Sequence, residues 1–527
     1  MMLLALACTP ATDSGTTGVG HDFLTPPTLV EADPRAPLTG LLRAELTAPG
    51  QLVVTLREVG QPEIEIAFAA VAAFHEVPIA LLRADRSTEI EVVPHFEDGT
   101  VGKPAVLSHT TPPLPGEAPD VAISLHVTEA RSDGFTLIGA GRAGTFPGAE
   151  MLLLIDAFGE IVWMRTFDED VMDAVPTGDG EFFGLRTGTV ARWDLAGREV
   201  AAWTSADRGS LGTAVVADQD LHDSVALLDD GTAVALSTKH VDVPSLPTSY
   251  DDPGIRAGGI VADDILVAFD MSGVTVGEWS VLDALTPYRI GYDSLFVRDD
   301  GTYDWGRANA VDVHDADGGW LVSVRHQDAV VEIDPVTRAA NWILAPPENW
   351  PDDLDALRLQ PLDPSFEWPY HPHGARWADS GQLLVFDNGN RRASPWTGEA
   401  SVPDEDNASR VLVLDVNEAA GTFSVVTSWD APPQGSLFSQ RGGSVELLAD
   451  GHHVSTWGSV SWLGGISSVD AGYGKDAVIV NEVDENGTVV WQMVLFEPAE
   501  EFVAGWSANR SVRVVNPYGS LATLTVR

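Results

Sequence analysis

The chain has 527 residues, 44% of them hydrophobic, which is more than one ordinary core supports and points to two domains or one large closed all-β architecture. Its 78 acidic against 30 basic residues give a formal net charge of -48. A field of that sign repels DNA, RNA and anionic membrane surfaces, which excludes nucleic-acid binding and leaves an anionic small molecule only those places where a few basic groups cluster.

In chain order, residues 1–26 read as an export segment. The apolar run MMLLALA ends on the single cysteine, and Ala5-Leu6-Ala7-Cys8 has the form of a lipobox in which Cys8 becomes a lipidated N-terminus. The stretch TPATDSGTTGVGHD then reads as a flexible tether. The expectation is an exported protein, periplasmic or membrane-anchored, touching a membrane only through a lipid at Cys8. No later apolar run reaches the ~18 residues of a membrane span. One cysteine also leaves no internal disulfide.

Residues 27–112 alternate in short strands such as GQLVVTLREV and STEIEVVPHF, separated by turn clusters such as TAPG and EDGT. That pattern predicts a β-sandwich domain. TTPPLPGEAPD reads as a linker.

Over residues 118–527 a phrase recurs: an apolar residue, Asp, a short turn, then a strand ending on Trp. It pairs Asp156 with Trp163, Asp194 with Trp203, Asp270 with Trp279, Asp334 with Trp342, Asp415 with Trp429 and Asp484 with Trp491. Each copy is a hairpin signal, and most follow a second Gly-containing turn. Two hairpins make a four-stranded unit, so six copies predict a six-bladed β-propeller behind the N-terminal β-sandwich, with the tryptophans as packing residues.

Inner strands of a propeller line its channel, so residues at their entrances converge although they are far apart in sequence. The entrances offer His222, Arg307, Asn309, His373 and Arg441, and Arg325 closes the fourth blade's strand. His326 should face away from Arg325, because side chains alternate along a strand. Guanidinium forks, imidazoles and an amide around one axis suit a tetrahedral anion. His371 is expected to be a bystander, and His452 and His453 to be solvated in a turn. The H-P-H spacing of His371 and His373 also suits a metal, but no acidic partner is fixed for it, so no metal ligand or cofactor is assigned.

The segment DWGRANAVDVHDADGGWLVSVRHQDAVVEIDPVTRAANWIL, followed by HGARWADSGQLLVFDNGN, resembles the bacterial arylsulfate sulfotransferases that work without PAPS. The resemblance covers most of the chain, and its specific part is residues 304–390. It implies a sandwich and a six-bladed propeller, an aryl sulfate donor, a phenolic acceptor and a sulfohistidine intermediate. His373 matches the family's nucleophile, His222 and Asn309 match its channel histidine and amide, and Arg325 matches its sulfate-binding arginine. Two positions depart from the pattern. Arg307 stands where the family has a histidine, a permanent cation that can hold sulfate but cannot accept a proton. Gly374 stands where an aspartate usually follows the nucleophile. With Arg307 binding the sulfuryl oxygens, His222 is left as the expected acceptor of the phenol's proton.

Two other readings stay open on sequence alone. One is a ligand-binding propeller lipoprotein without chemistry. The other is a calcium-dependent propeller hydrolase, which needs several carboxylate and amide oxygens converging in the channel.

Overall fold

The computed structural model describes residues 21–142, 150–209, 211–216, 220–314, 318–430, 432, 435–497 and 505–527. The leader, Cys8 and most of the tether lie outside the described residues.

The N-terminal domain is built on one long strand, Gly40–Arg57. Its first half pairs with Phe23–Glu31 and Ala72–Ile79, and its second half with Ile64–Phe68 and Ser87–Phe96. The register slips between Glu45 and Gly50, so the sheet folds over itself there into two layers. Alternate residues Leu42, Ala44 and Leu46 of one half meet Leu52, Val54 and Leu56 of the other in one core.

The last strand of the chain, Ala522–Val526, joins this sheet. It was counted with the propeller from sequence, but it pairs with Ile64–Phe68 from Ile64↔Val526 to Phe68↔Ala522. It thereby covers an edge that would otherwise be open. Tyr518 fixes the return, its hydroxyl accepting from the Ala80 amide at 2.9 Å.

Six further sheets form the propeller. Five are compact blades of four or five strands, beginning at Phe135, Val171, Leu221, Ala308 and Pro372. The expectation of six like, four-stranded blades is corrected at the last place. There a seven-stranded sheet forms, because the strand after His453 runs on to Leu463 and collects short extra strands at its far end. The ring is locked from both ends of the chain. Asp120–His126 supplies the outer strand of this closing sheet, and Trp506–Ser507 with Ser511–Val514 completes the first blade.

The repeated phrase has a physical meaning. At Asp156, Asp194, Asp270, Asp334 and Asp484 the carboxylate accepts amides two to four residues on, the Asx geometry of a tight turn. All six tryptophans are buried. Three of them reach the next blade's turn. Trp163 donates to Leu195 O (2.8 Å), Trp279 to Pro335 O (2.9 Å) and Trp491 to Ala157 O (2.9 Å), each the carbonyl directly after the turn's Asp. The phrase therefore joins neighbouring blades as well as closing a hairpin.

Candidate active site

The inner strands of the fourth and fifth blades, Ala308–Val313 and Pro372–Trp377, bring Asn309 and His373 together. Asn309 Nδ2 donates to Pro372 O (3.0 Å) and to His373 Nδ1 (3.0 Å). A carbonyl can only accept, so the amide nitrogen faces both partners, and the ring takes its hydrogen bond on Nδ1. The neutral ring then keeps its proton on Nε2. His373 is buried, and burial followed by the Arg325 charge pushes its pKa down to about 3. The imidazole is neutral throughout the physiological range.

A cavity of about 470 Å³ opens onto this pair. Arg307, Arg325 and Arg441 line it with Asn309 and His373, so five of the six residues expected to converge share one wall space. Arg325 is not the last residue of a strand. The strand ends at Val324 and Arg325–Gln327 forms a 3-10 turn, closed by Asp328 at φ 50°. Strand alternation stops there, which is why His326 lines the same cavity as Arg325 instead of facing away. Arg325 Nη2 donates to Gln440 O (3.1 Å) of the closing sheet. Arg307 sits at the rim with its side chain half exposed, bound to Asp304 at 3.2 Å.

His222 is the exception. Asp223, not His222, reaches the cavity wall. The pairing slips between His222 and Val225, and Asp223 takes φ 56°, a bulge that turns its carboxylate inward. His222 stands behind it, Nδ1 at 2.9 Å from Asp223 Oδ2 and Nε2 at 3.7 Å from Asp264 Oδ1. Burial opposes the imidazolium, but the hydrogen bond and charge of Asp223 raise the His222 pKa above its ordinary value.

Sequence did not mark Asp223, Asp293 and Asp304 as cavity residues, and each is held from behind by a cation. Asp223 has His222, Asp304 has Arg298 (2.9 Å), and Asp293 has Arg391 (2.8 Å), with the His371 ring 3.3 Å from its other oxygen. His371 is thus no bystander. It is fully buried between Asp293 and Asp328, with Nδ1 at 3.2 Å from Asp328. Arg307 remains bound to Asp304 and Arg441 lies 3.7 Å from Asp476, while Arg325 makes no ion pair among the described residues. In this way a chain of net charge -48 gathers three guanidinium groups around one cavity. The same pairing removes the open set of oxygens that a calcium site requires.

The departure at Gly374 is steric. Its φ is 57°, and a Cβ there would lie 2.5 Å from Gly443 O. An aspartate has no room. Asn388, in the FDNG segment, stands near the ring instead. Its amide is spent on Ser439 O (2.8 Å) and Gly442 O (2.9 Å), and its side chain favours the charged imidazole. His452 and His453 are also not solvated. His452 Nδ1 is 2.9 Å from Glu482, and His453 is buried in its strand.

The family model described as Arylsulfotransferase (ASST) matches residues 124–494. The chain belongs to the arylsulfotransferase family. The match takes in every residue that lines the cavity except Asn509. An arylsulfate sulfotransferase AssT of Lelliottia amnigena is 28% identical over 183 residues, 30% of this chain and 29% of that protein. AssT of Escherichia coli O6:H1 is 26% identical over 287 residues, 49% of this chain and 44% of that protein. The chain therefore aligns with less than half the length of either arylsulfotransferase. A solved Bacteroides caccae protein of unknown function superposes with a TM-score of 0.38 at 14% identity, covering 68% of this chain and 93% of that one.

Proposed function

We propose that this protein transfers a sulfuryl group from an aryl sulfate to a phenol, with His373 as the covalent carrier. The observation that carries the reading is a buried imidazole held neutral beside Asn309 and Arg325 in a cavity that Arg307 and Arg441 also line. A neutral ring is a nucleophile, and three arginines match a sulfuryl group's oxygens.

The Nδ1 lone pair attacks sulfur, the S–O bond to the aryl group breaks, and phenolate leaves with the electron pair. As the N–S bond forms, the Asn309 N–H exchanges the ring for a sulfuryl oxygen, and the ring becomes a cation that still carries its Nε2 proton. Asn388 supports that charge. Arg325 and Arg307 bind the oxygens in both the donor and the intermediate, so positioning and fixed charge lower the barrier. Phe296, exposed at the mouth, offers the aryl ring a face.

Discharge needs a base for the acceptor's proton. His222 stands behind Asp223 and holds a raised pKa, so it serves as the cation that steadies Asp223. His326 is the better acceptor. Its Nδ1 donates to Asp304 O (2.6 Å), which leaves the lone pair on Nε2, and burial followed by Arg325 keeps the ring neutral. The acceptor oxygen attacks sulfur, the N–S bond returns its pair to Nδ1, and the phenol's proton goes to His326 Nε2. The reaction needs no nucleotide, which suits a chain exported and anchored at Cys8.

The test is phenolate release from a chromogenic aryl sulfate with and without a phenol. Wild type should release phenolate in an acceptor-dependent way, and His373→Ala should lose this activity. His326→Gln should slow discharge more than loading, and less so for a phenol already ionised at the assay pH. Equal turnover in wild type and His373→Ala would leave a ligand-binding propeller.

A further inference from the structure

The border between the fourth and fifth blades lacks the indole bond that fastens three of the others. Trp342 of the fourth blade is buried where Trp163, Trp279 and Trp491 sit, but its indole N–H has no acceptor among the described residues. The fifth blade offers no Asp turn to receive it. Asp415 stays inside the strand Arg410–Asn417, and the chain continues into the 3-10 turn Glu418–Ala420.

At that border three side chains converge. His314 follows the fourth blade's inner strand, Glu332 lies in Ala329–Ile333, and Glu418 heads the turn that replaces the Asp motif. His314 Nδ1 lies 3.5 Å from Glu332 Oε2 and 3.6 Å from Glu418 Oε1, and the three ligand atoms fall within 4.8 Å of one another.

We propose that His314, Glu332 and Glu418 bind one divalent cation of the zinc class, which fastens the fourth blade to the fifth. A single ring nitrogen faces both carboxylates, and one N–H can serve only one of them. Where this molecule makes an imidazole–carboxylate hydrogen bond, at His222–Asp223 and His452–Glu482, the distance is 2.9 Å. Separations of 3.5 and 3.6 Å exceed that range and fit the ~3.4 Å edge of a tetrahedron with bonds of ~2.1 Å.

The surroundings hold each donor in place. The His314 ring is stacked on Trp377, centroids 4.3 Å apart at 20°, so its aim is fixed. Glu332 is fully buried, and Asn341 Nδ2 donates to its other oxygen at 3.0 Å, the outer contact that orients a ligating carboxylate. Gly319 makes the space, since a Cβ there would lie 2.7 Å from the Glu332 carboxyl carbon. An imidazole in the set favours zinc over calcium or magnesium, which prefer all-oxygen shells.

The position has a consequence for the cavity. His314 follows the strand that carries Asn309 near its start, and Trp377 ends the strand that carries His373 near its start. A cation at the far ends would hold the two strands in the register that pairs those residues.

The test uses the full chain, stripped with EDTA and titrated with Zn²⁺ by calorimetry, with bound zinc counted after dialysis. The chain is acidic enough to bind zinc loosely elsewhere, so the deciding quantity is the one tight equivalent that wild type holds and a site variant lacks. Glu418→Gln, at a partly exposed turn, should lose that equivalent with affinity weakened 10-fold or more. It should unfold with metal-free wild type at one temperature, and zinc should raise the wild-type midpoint only. Glu332→Gln should lose the same equivalent. Identical zinc stoichiometry and affinity in wild type and both variants, or no tight equivalent in wild type, would overturn the proposal. None of these readings depends on sulfuryl transfer.

Discussion

At the border between the closing sheet and the first blade, Trp491 donates its indole proton to Ala157 O at 2.9 Å. At the border between the fourth and fifth blades, Trp342 is equally buried but its indole proton meets no acceptor among the described residues. The first border only closes the ring, whereas the second carries the Asn309–His373 pair and lacks the indole bond. A repeat that fastens every border alike fixes the fold. Placing one amide against one imidazole calls for a border with its own contacts, here His314 stacked on Trp377 and the carboxylates around it.

The comparison can be broken by mutation, and the largest effect should come from emptying a fastened border. Trp491→Ala should destabilise the protein by about 3–5 kcal/mol, read as a denaturant midpoint, because it removes a fully buried indole and leaves Ala157 O unanswered. A cost near that of an exposed tryptophan would refute the role given to the phrase.

Placing an aspartate directly after His373 should harm the protein. Gly374→Asp forces a positive φ and a Cβ against Gly443 O, so a loss of about 1–3 kcal/mol is expected, together with reduced turnover. A gain in activity would show that the glycine is not a steric requirement.

The sharpest contrast between borders comes from removing only the indole N–H. Trp491→Phe should cost about 1 kcal/mol or more than Trp342→Phe, since only Trp491 leaves a bonded acceptor behind. Equal costs would dissolve the comparison.

The smallest effect concerns pH. The His222 pKa is raised, so its imidazolium is present below its ordinary pKa and is lost as pH climbs through the raised folded value. The charge answering Asp223 goes with it, and KM for an aryl sulfate should rise a few-fold on the alkaline side. In His222→Gln the KM should be higher throughout and flat over that range. His373, held near 3, contributes no acid limb above about pH 4.

Much of this was legible in the sequence, and the gaps have physical causes. The Asp-turn-Trp phrase located the blades because side-chain-capped turns and packing indoles are local signals. It could not show that Asp415 keeps to its strand, since that depends on the neighbouring blade. Arg307, Asn309 and His373 were found as strand-entrance residues, and Arg325 as a residue closing a strand. His222 was misplaced because a bulge at Asp223 turns its neighbour inward in its stead, and His326 because a 3-10 turn after Val324 ends the alternation on which its facing was argued. Asp223, Asp293 and Asp304 were lost among 78 acidic residues, and only the cations paired with them set them apart. The return of Ala522–Val526 to the first domain is a pairing across nearly the whole chain, for which periodicity carries no signal.

The most direct test of the account is the mass of the intact protein after exposure to an aryl sulfate with no acceptor present. The account predicts a gain of ~80 Da, one sulfuryl group, mapping to the peptide that contains His373, discharged on adding a phenol and absent in His373→Ala. Turnover of the aryl sulfate with no adduct on His373 at any time point, or an adduct on another residue that discharges to the phenol at the same rate, would contradict it.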